Sequence, residues 1–186
     1  MVSLAQLWLP IVVAAVLVFV ASSVIHMVLQ WHKPFYKGFA NEADVRAALG
    51  KSMSAPGIYI VPFCNDMKQM STPEMMAKFT EGPIAKVTLR AGSAPSMGKP
   101  LAQWFVFCLV VSLACACIDG HTLAMGTPYM QVFCVTGMAA FLAYGFYTVP
   151  HGIWWGQPWG AVAIDMLDGL IYALVTAGTF GWLWPR

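Results

Sequence analysis

Charge is what this chain has least of. Only 10% of its 186 residues are Asp, Glu, Lys or Arg, against about 25% in an ordinary soluble domain. With 59% hydrophobic residues and a mean hydropathy of +0.68, the chain belongs with membrane proteins rather than soluble domains. A net charge of +2 is too small to argue for a nucleic-acid partner. Basic residues are also missing from most of the length. Nine of the ten Lys and Arg lie between Lys33 and Lys99, and the tenth is Arg186. Five of the eight acids (Glu42, Asp44, Asp66, Glu74 and Glu81) share that stretch, giving it a net +4. The chain therefore divides into apolar membrane segments and one solvated insert.

Familiar chemistry-bearing motifs are absent as well. There is no G-x-x-x-x-G-K-[ST], no G-x-G-x-x-G, no H-E-x-x-H and no G-x-S-x-G, so the common nucleotide, zincin and hydrolase signatures do not apply. Cysteine gives no C-x-x-C and no zinc spacing. Cys108, Cys115, Cys117 and Cys134 lie in apolar segments and only Cys64 in the insert; they read as small packing residues. No internal repeat stands out, which weighs against an inverted-repeat transporter.

What is present is four long apolar runs. Residues 4–30, 101–118, 129–149 and 160–184 each approach or exceed the ~20 residues that cross a bilayer. The first reads as a span rather than a signal peptide: no Lys or Arg precedes it, it is too long, and no clear small-x-small cleavage site follows. Pro100, Pro128, Pro150 and Pro158 mark boundaries. The expected organisation is transmembrane helix 1 in 1–32, a soluble insert in 33–100, and transmembrane helices 2–4 in 101–186. The fold class is an all-α four-span membrane protein with a small α/β insert. Lys33, Lys37 and Lys99 flank the insert, so the positive-inside rule puts it in the cytoplasm and both termini outside. Trp31, Trp104, Trp154, Trp155 and Trp159 would anchor one interface, and Trp8, Tyr129, Trp182 and Trp184 the other.

The insert has its own signals. In NEADVRAALG, Asn41 is placed to cap a helix and Gly50 to end it. Residues 57–63, GIYIVPF, are a strand candidate. In STPEMMAKFTEG, Thr72 caps, Pro73 takes the first helical position and Gly82 stops the helix. IAKVTLRAG alternates as a strand with one wet face, Ala85, Val87 and Leu89 opposite Lys86, Thr88 and Arg90. Met53, Met67, Met70, Met75, Met76 and Met97 lie in the insert near Cys64. Thioether and thiolate groups suit Cu(I), but adaptable apolar packing against the bundle or a partner is the simpler reading.

Two patterns in the spans matter for function. Gly169, Ala173, Ala177 and Gly181 recur every four residues and form a helix-packing stripe, as do Cys108, Ser112, Ala116 and Gly120. Such stripes serve a compact bundle within the chain, a homo-oligomer or a partner helix. The second pattern is polar. Asp165 and Asp168 sit in the last span about 9 to 14 Å along the helix from Trp159, and ionisable groups at membrane depth are functional candidates. Ser22, His26 and Gln30 form a stripe near the end of the first span, so His26, Asp165 and Asp168 could meet as an intramembrane polar cluster. This pattern is compatible with a register-fixing hydrogen-bonded cluster, a proton relay, or ligands to haem or a metal. Spacing alone singles out no metal-ligand set and no catalytic residue. His121, with Asp119, and His151 fall in short loops, and the two histidines read as solvated.

The runs IHMVLQWHKPFYK, PGIYIVPF and DGLIYALVTAGTFGWLWPR resemble a group of uncharacterised bacterial four-span inner-membrane proteins with the same order of span, insert and three spans. The resemblance implies the topology and a bacterial inner-membrane location, and no activity. The expected function is an accessory or scaffolding subunit that packs against a partner membrane protein in the lipid bilayer. The alternatives are a redox or proton-handling component using the His/Asp cluster, with an unidentified cofactor, and a small oligomeric transporter or channel.

Overall fold

The computed structural model describes residues 2–52, 55–94 and 96–186. It forms two compact units, Met1–Tyr36 with Ser96–Arg186, and Lys37–Pro95. The boundary lies four residues inside the expected insert at its start, where residues 33–36 fold back onto the helices, and five at its end, where α4 begins at Gly98.

The first unit is a four-helix bundle. Helix α1 spans Trp8–Val24 and runs into a single π-helical turn, Ile25–Leu29. Helices α4 (Gly98–Thr122), α5 (Tyr129–Tyr144) and α7 (Trp159–Trp182) complete it. A 3-10 turn, Phe146–Thr148, and a short α6, Val149–Trp155, join α5 to α7. Four helical segments, Trp8–Leu29, Gly98–Thr122, Tyr129–Trp155 and Trp159–Trp182, are long and apolar enough to cross a membrane. α1 packs on α4 and α7, and α5 packs on α4 and α7, so the helices close into a ring.

Three boundaries differ from expectation. α4 extends to Thr122, which takes Asp119 out of the loop and buries it completely. Pro150 does not end the third segment: proline's fixed φ suits a first helical turn, and it starts α6, with His151 in that helix. Gly50 does not end its helix, which continues to Ser52.

Both small-residue stripes are spent inside the bundle. A Cβ on Gly169 would lie 2.6 Å from Gly145 N and 2.7 Å from Tyr144 C. One on Gly181 would lie 2.7 Å from the Tyr129 ring. Ala173 and Ala177 are buried between them, so the whole stripe seats α7 on α5. Cys108, Ser112, Ala116 and Gly120 are likewise buried, and a Cβ on Gly120 would meet the Val2 carbonyl at 2.6 Å. Small residues at these positions let the helix backbones approach closely. Val2 N donates to Gly120 O (3.0 Å), Gly126 N to Pro185 O (2.9 Å) and Trp184 Nε1 to Ala124 O (2.9 Å), which ties both chain ends to the α4–α5 turn.

The second unit holds α2 (Glu42–Ser52), β1 (Gly57–Val61), α3 (Pro73–Glu81) and β2 (Ala85–Leu89). The strands pair antiparallel, Gly57 opposite Leu89 and Val61 opposite Ala85. The alternation read in β2 is present: Ala85, Val87 and Leu89 are half-buried, Lys86 and Thr88 exposed. The α3 signals also hold, with Thr72 Oγ1 accepting from Met75 N and Gly82 ending the helix at φ +66°. Met67, Met70 and Met76 are exposed rather than packed, and Met53 lies outside the described residues. Cys64 Sγ donates within its own turn, to Asp66 O at 3.1 Å.

Candidate functional site

The site is built where α1 ends. Its last turn is wound wide, so Gln30 N donates five residues back to Ile25 O at 2.9 Å. Gln30 then takes a left-handed conformation (φ 50°, ψ 29°). For a residue with a Cβ this costs on the order of 1–2 kcal/mol. π-turns and single strained residues concentrate at functional positions. Here the wide turn and the reversal at Gln30 carry Trp31 and His32 back over the first half of α7. The Lys33–Phe35 turn continues that path and lays Phe35 against Gly160, where a Cβ would come within 3.0 Å of the ring.

Four ionisable side chains converge there. His32 Nε2 is 3.2 Å from Asp168 Oδ2 and 3.3 Å from Asp165 Oδ1. His26 Nε2 is 3.8 Å from the same Asp168 Oδ2. The two imidazoles stack, with centroids 4.8 Å apart and planes 16° from parallel. The side chains of Asp168 and His32 are only 7% and 13% exposed, that of Asp165 28% and that of His26 55%. The cluster is thus deep on the Asp168 side and open on the His26 side. A shallow cavity of about 220 Å³, lined by His26, Gln30, His32, Lys33 and Tyr36, adjoins it.

Partners on the outside orient three of the four groups. Trp31 Nε1 donates to Asp168 Oδ1 at 2.9 Å, leaving Oδ2 for the histidines. Gln157 Nε2 donates to Asp165 Oδ2 at 2.9 Å, leaving Oδ1 for His32. Gln157 is held beside α7 because Gly156 ends α6 in the left-handed region (φ +68°). His26 Nδ1 contacts Ser22 O at 3.0 Å. A carbonyl only accepts, so Nδ1 carries the hydrogen and a neutral His26 presents an unprotonated Nε2 to the cluster. His32 Nδ1 is buried with no hydrogen-bond partner among the described residues.

The expected cluster of His26, Asp165 and Asp168 therefore forms, with a different wiring. Asp168 is the shared centre, and Asp165 pairs with His32 rather than with His26. Sequence reasoning missed His32, Trp31 and Gln157 as site residues. The signal was the second histidine in HMVLQWH, six residues after the first. A regular helix puts positions six apart on different faces, and only the π-turn with the left-handed Gln30 brings the two rings together. His26, His32 and Asp168 also make a potential metal-ligand group, their ligand atoms all lying within 4.8 Å of one another. Spacing predicted no such set.

The other histidines stay outside the site. His121, in the last turn of α4, is exposed with Nδ1 on Cys117 O at 2.7 Å. His151 stacks edge-on with Tyr147 at 6.2 Å. Asp119 lies near the other end of the bundle, where Thr136 Oγ1 donates to its Oδ2 at 2.6 Å.

The chain is a mostly helical protein with four helical segments long and apolar enough to cross a membrane and a polar His/Asp centre among them. No family model, no curated protein and no solved structure matches the chain.

Proposed function

We propose that this chain is a redox or proton-handling membrane component whose working part is the centre formed by His26, His32, Asp165 and Asp168. One observation carries the reading. The facing atoms of two imidazoles and two carboxylates point at one another, while Trp31, Gln157 and Ser22 hold the far atoms of Asp168, Asp165 and His26. Two adjacent carboxylates in an apolar helix are costly unless a cation, proton or metal, sits against them. A cluster that only fixed helix register would need no opening, yet His26 faces solvent or headgroups through a cavity. In this reading the four apolar segments cross a bacterial inner membrane, with residues 37–95 on the cytoplasmic side and both termini outside. The confinement of Lys and Arg to residues 33–99 and Arg186 supports that orientation.

The small-residue stripes were the ground for a scaffolding role, and both are consumed within the bundle. A different observation favours a partner: Ile58, Ile60, Val61 and Phe63 form an exposed apolar run at the start of the small sheet. An accessory role would use that surface.

The test is Asp168→Asn and His32→Asn in the full chain. Both should keep the native mass and mobility of the purified assembly. Both should abolish proton movement into liposomes under a potassium diffusion potential, or any visible absorption band the wild type carries. Variants with wild-type behaviour, together with fixed-stoichiometry co-purification with a larger enzyme, would overturn the reading in favour of the accessory subunit.

A further inference from the structure

We infer that the cation for which this centre is built is a divalent transition-metal ion, ligated by His26 Nε2, His32 Nε2 and Asp168 Oδ2, with Asp165 as the balancing carboxylate. The inference rests on the proposed working centre and names what occupies it.

The first support is spacing. Ligand atoms placed ~2.0–2.1 Å from a tetrahedral ion lie about 3.3 Å apart. His32 Nε2 is 3.2 Å from Asp168 Oδ2, and His26 Nε2 is 3.8 Å from that oxygen. These separations exceed the ~2.7–2.9 Å of charge-assisted hydrogen bonds. All three ligand atoms lie within 4.8 Å of one another, and His26, the most exposed member, is the one that moves inward to complete the set.

The second support is direction. His32 Nε2 sits almost equally far from two carboxylate oxygens, 3.2 and 3.3 Å. A single N–H would be shared between the two as a bifurcated bond, each half weaker than a linear one. A metal ion on the nitrogen lone pair lies against both without compromise.

The third support is charge. Two protonated imidazoles would balance two carboxylates, but the rings stack with centroids 4.8 Å apart, and stacked imidazolium ions repel. One dication with two neutral histidines and two carboxylates makes a neutral centre with no such repulsion. Metal-bound histidine must be neutral, and the Nδ1–H of His26 on Ser22 O leaves Nε2 free for that purpose.

The fourth support is the outer shell. Metal-ligating histidines and carboxylates are held by hydrogen bonds through their far atoms. Trp31 does this for Asp168 and the Ser22 carbonyl for His26, while Gln157 fixes Asp165; His32 is held by packing alone, its Nδ1 having no hydrogen-bond partner among the described residues. Three protein ligands leave an open position, as in sites that bind water or substrate rather than purely structural ones. Two histidines and one carboxylate are compatible with Zn²⁺ and with Fe²⁺.

The test uses the full chain purified in detergent. Metal content is measured directly, and Zn²⁺ alone is titrated into chelator-stripped protein. Wild type should bind one Zn²⁺ per chain. His26→Gln, at the exposed edge where misfolding is least expected, should weaken binding at least about 10–100-fold, and Asp168→Asn by more. His121→Ala, at the far end of the bundle, should bind as wild type. Absence of stoichiometric binding by folded wild type, or undiminished binding by His26→Gln and Asp168→Asn, would overturn the inference. The two readings fail separately. Proton flux without metal binding sinks the metal and leaves the working centre. Metal binding lost in Asp168→Asn, with flux and host phenotype unchanged, keeps the metal and sinks the proposed function.

Discussion

Asp119 and Asp168 are both carboxylates buried in the same bundle, and their surroundings could hardly differ more. Asp119 is fully buried near the end of α4 and meets one hydroxyl, that of Thr136, on the neighbouring α5. Asp168 meets an indole N–H, two imidazoles and a second carboxylate nearby, gathered from the π-turn, the residues that follow it and α7. The contrast separates a pin from a site. The hydrogen bond from Thr136 fixes depth and rotation between adjacent helices, while the other carboxyl oxygen of Asp119, Oδ1, is buried without a hydrogen-bond partner among the described residues. Four mutually facing ionisable groups with one open side require a cation and leave room for its exchange.

Breaking the comparison begins with the largest expected effect. Asp168→Asn should remove both a ligand and a charge and cost at least about 100-fold in Zn²⁺ affinity, measured by chelator competition. Next is the platform that presents the site. Gly169→Val would drive a side chain into the Gly145 backbone, where even a Cβ lies 2.6 Å from the nitrogen. Overpacking of this kind costs about 1–3 kcal/mol or more, read as a lower thermal midpoint in detergent and a loosened α5–α7 pair. Trp31→Phe keeps the ring and removes the donor to Asp168 Oδ1. Affinity should fall about 10-fold while the fold is unchanged, as expected when an orienting group is lost. Asp119→Asn sharpens the other half of the comparison. Its amide oxygen still accepts from Thr136, so metal binding should be that of wild type and stability should move by about 1 kcal/mol or less.

The smallest effect belongs to the insert. Lys78 Nζ donates to Glu74 at 2.7 Å across one turn of α3 and holds that carboxyl below its usual range. A lowered acid stabilises the folded form above its ordinary pKa, and the contribution disappears as pH falls through the lowered value. Both side chains are more than half exposed, so Lys78→Met should change α3 hydrogen exchange only slightly, and only above the carboxylate range.

Much of this molecule is legible in its sequence. Long apolar runs flanked by aromatics and prolines announce four helices long and apolar enough to cross a membrane, because length and hydropathy are local properties. The capping of α3 by Thr72 and Gly82 and the wet face of β2 follow equally local rules. Asp165 and Asp168 stand out because a charge in an apolar helix is rare and expensive. Less was legible at element ends. Asp119 reads as a loop residue until α4 is seen to run on to Thr122, and Pro150 reads as a stop although it starts α6. Both errors have one cause: a helix terminus is decided by what packs against it.

By itself, the sequence determined the four helices, the solvated insert and the presence of His and Asp groups at apolar positions, since composition and short-range periodicity act residue by residue. Tertiary structure alone decided the rest. It turned the small-residue stripes inward, where Gly169 and Gly181 admit backbone and ring atoms of α5. It also brought His32 into the site. A π-turn and one left-handed glutamine change the direction of the chain by an amount no helical periodicity encodes, and only the docking of Trp31 and Phe35 on α7 holds that change in place.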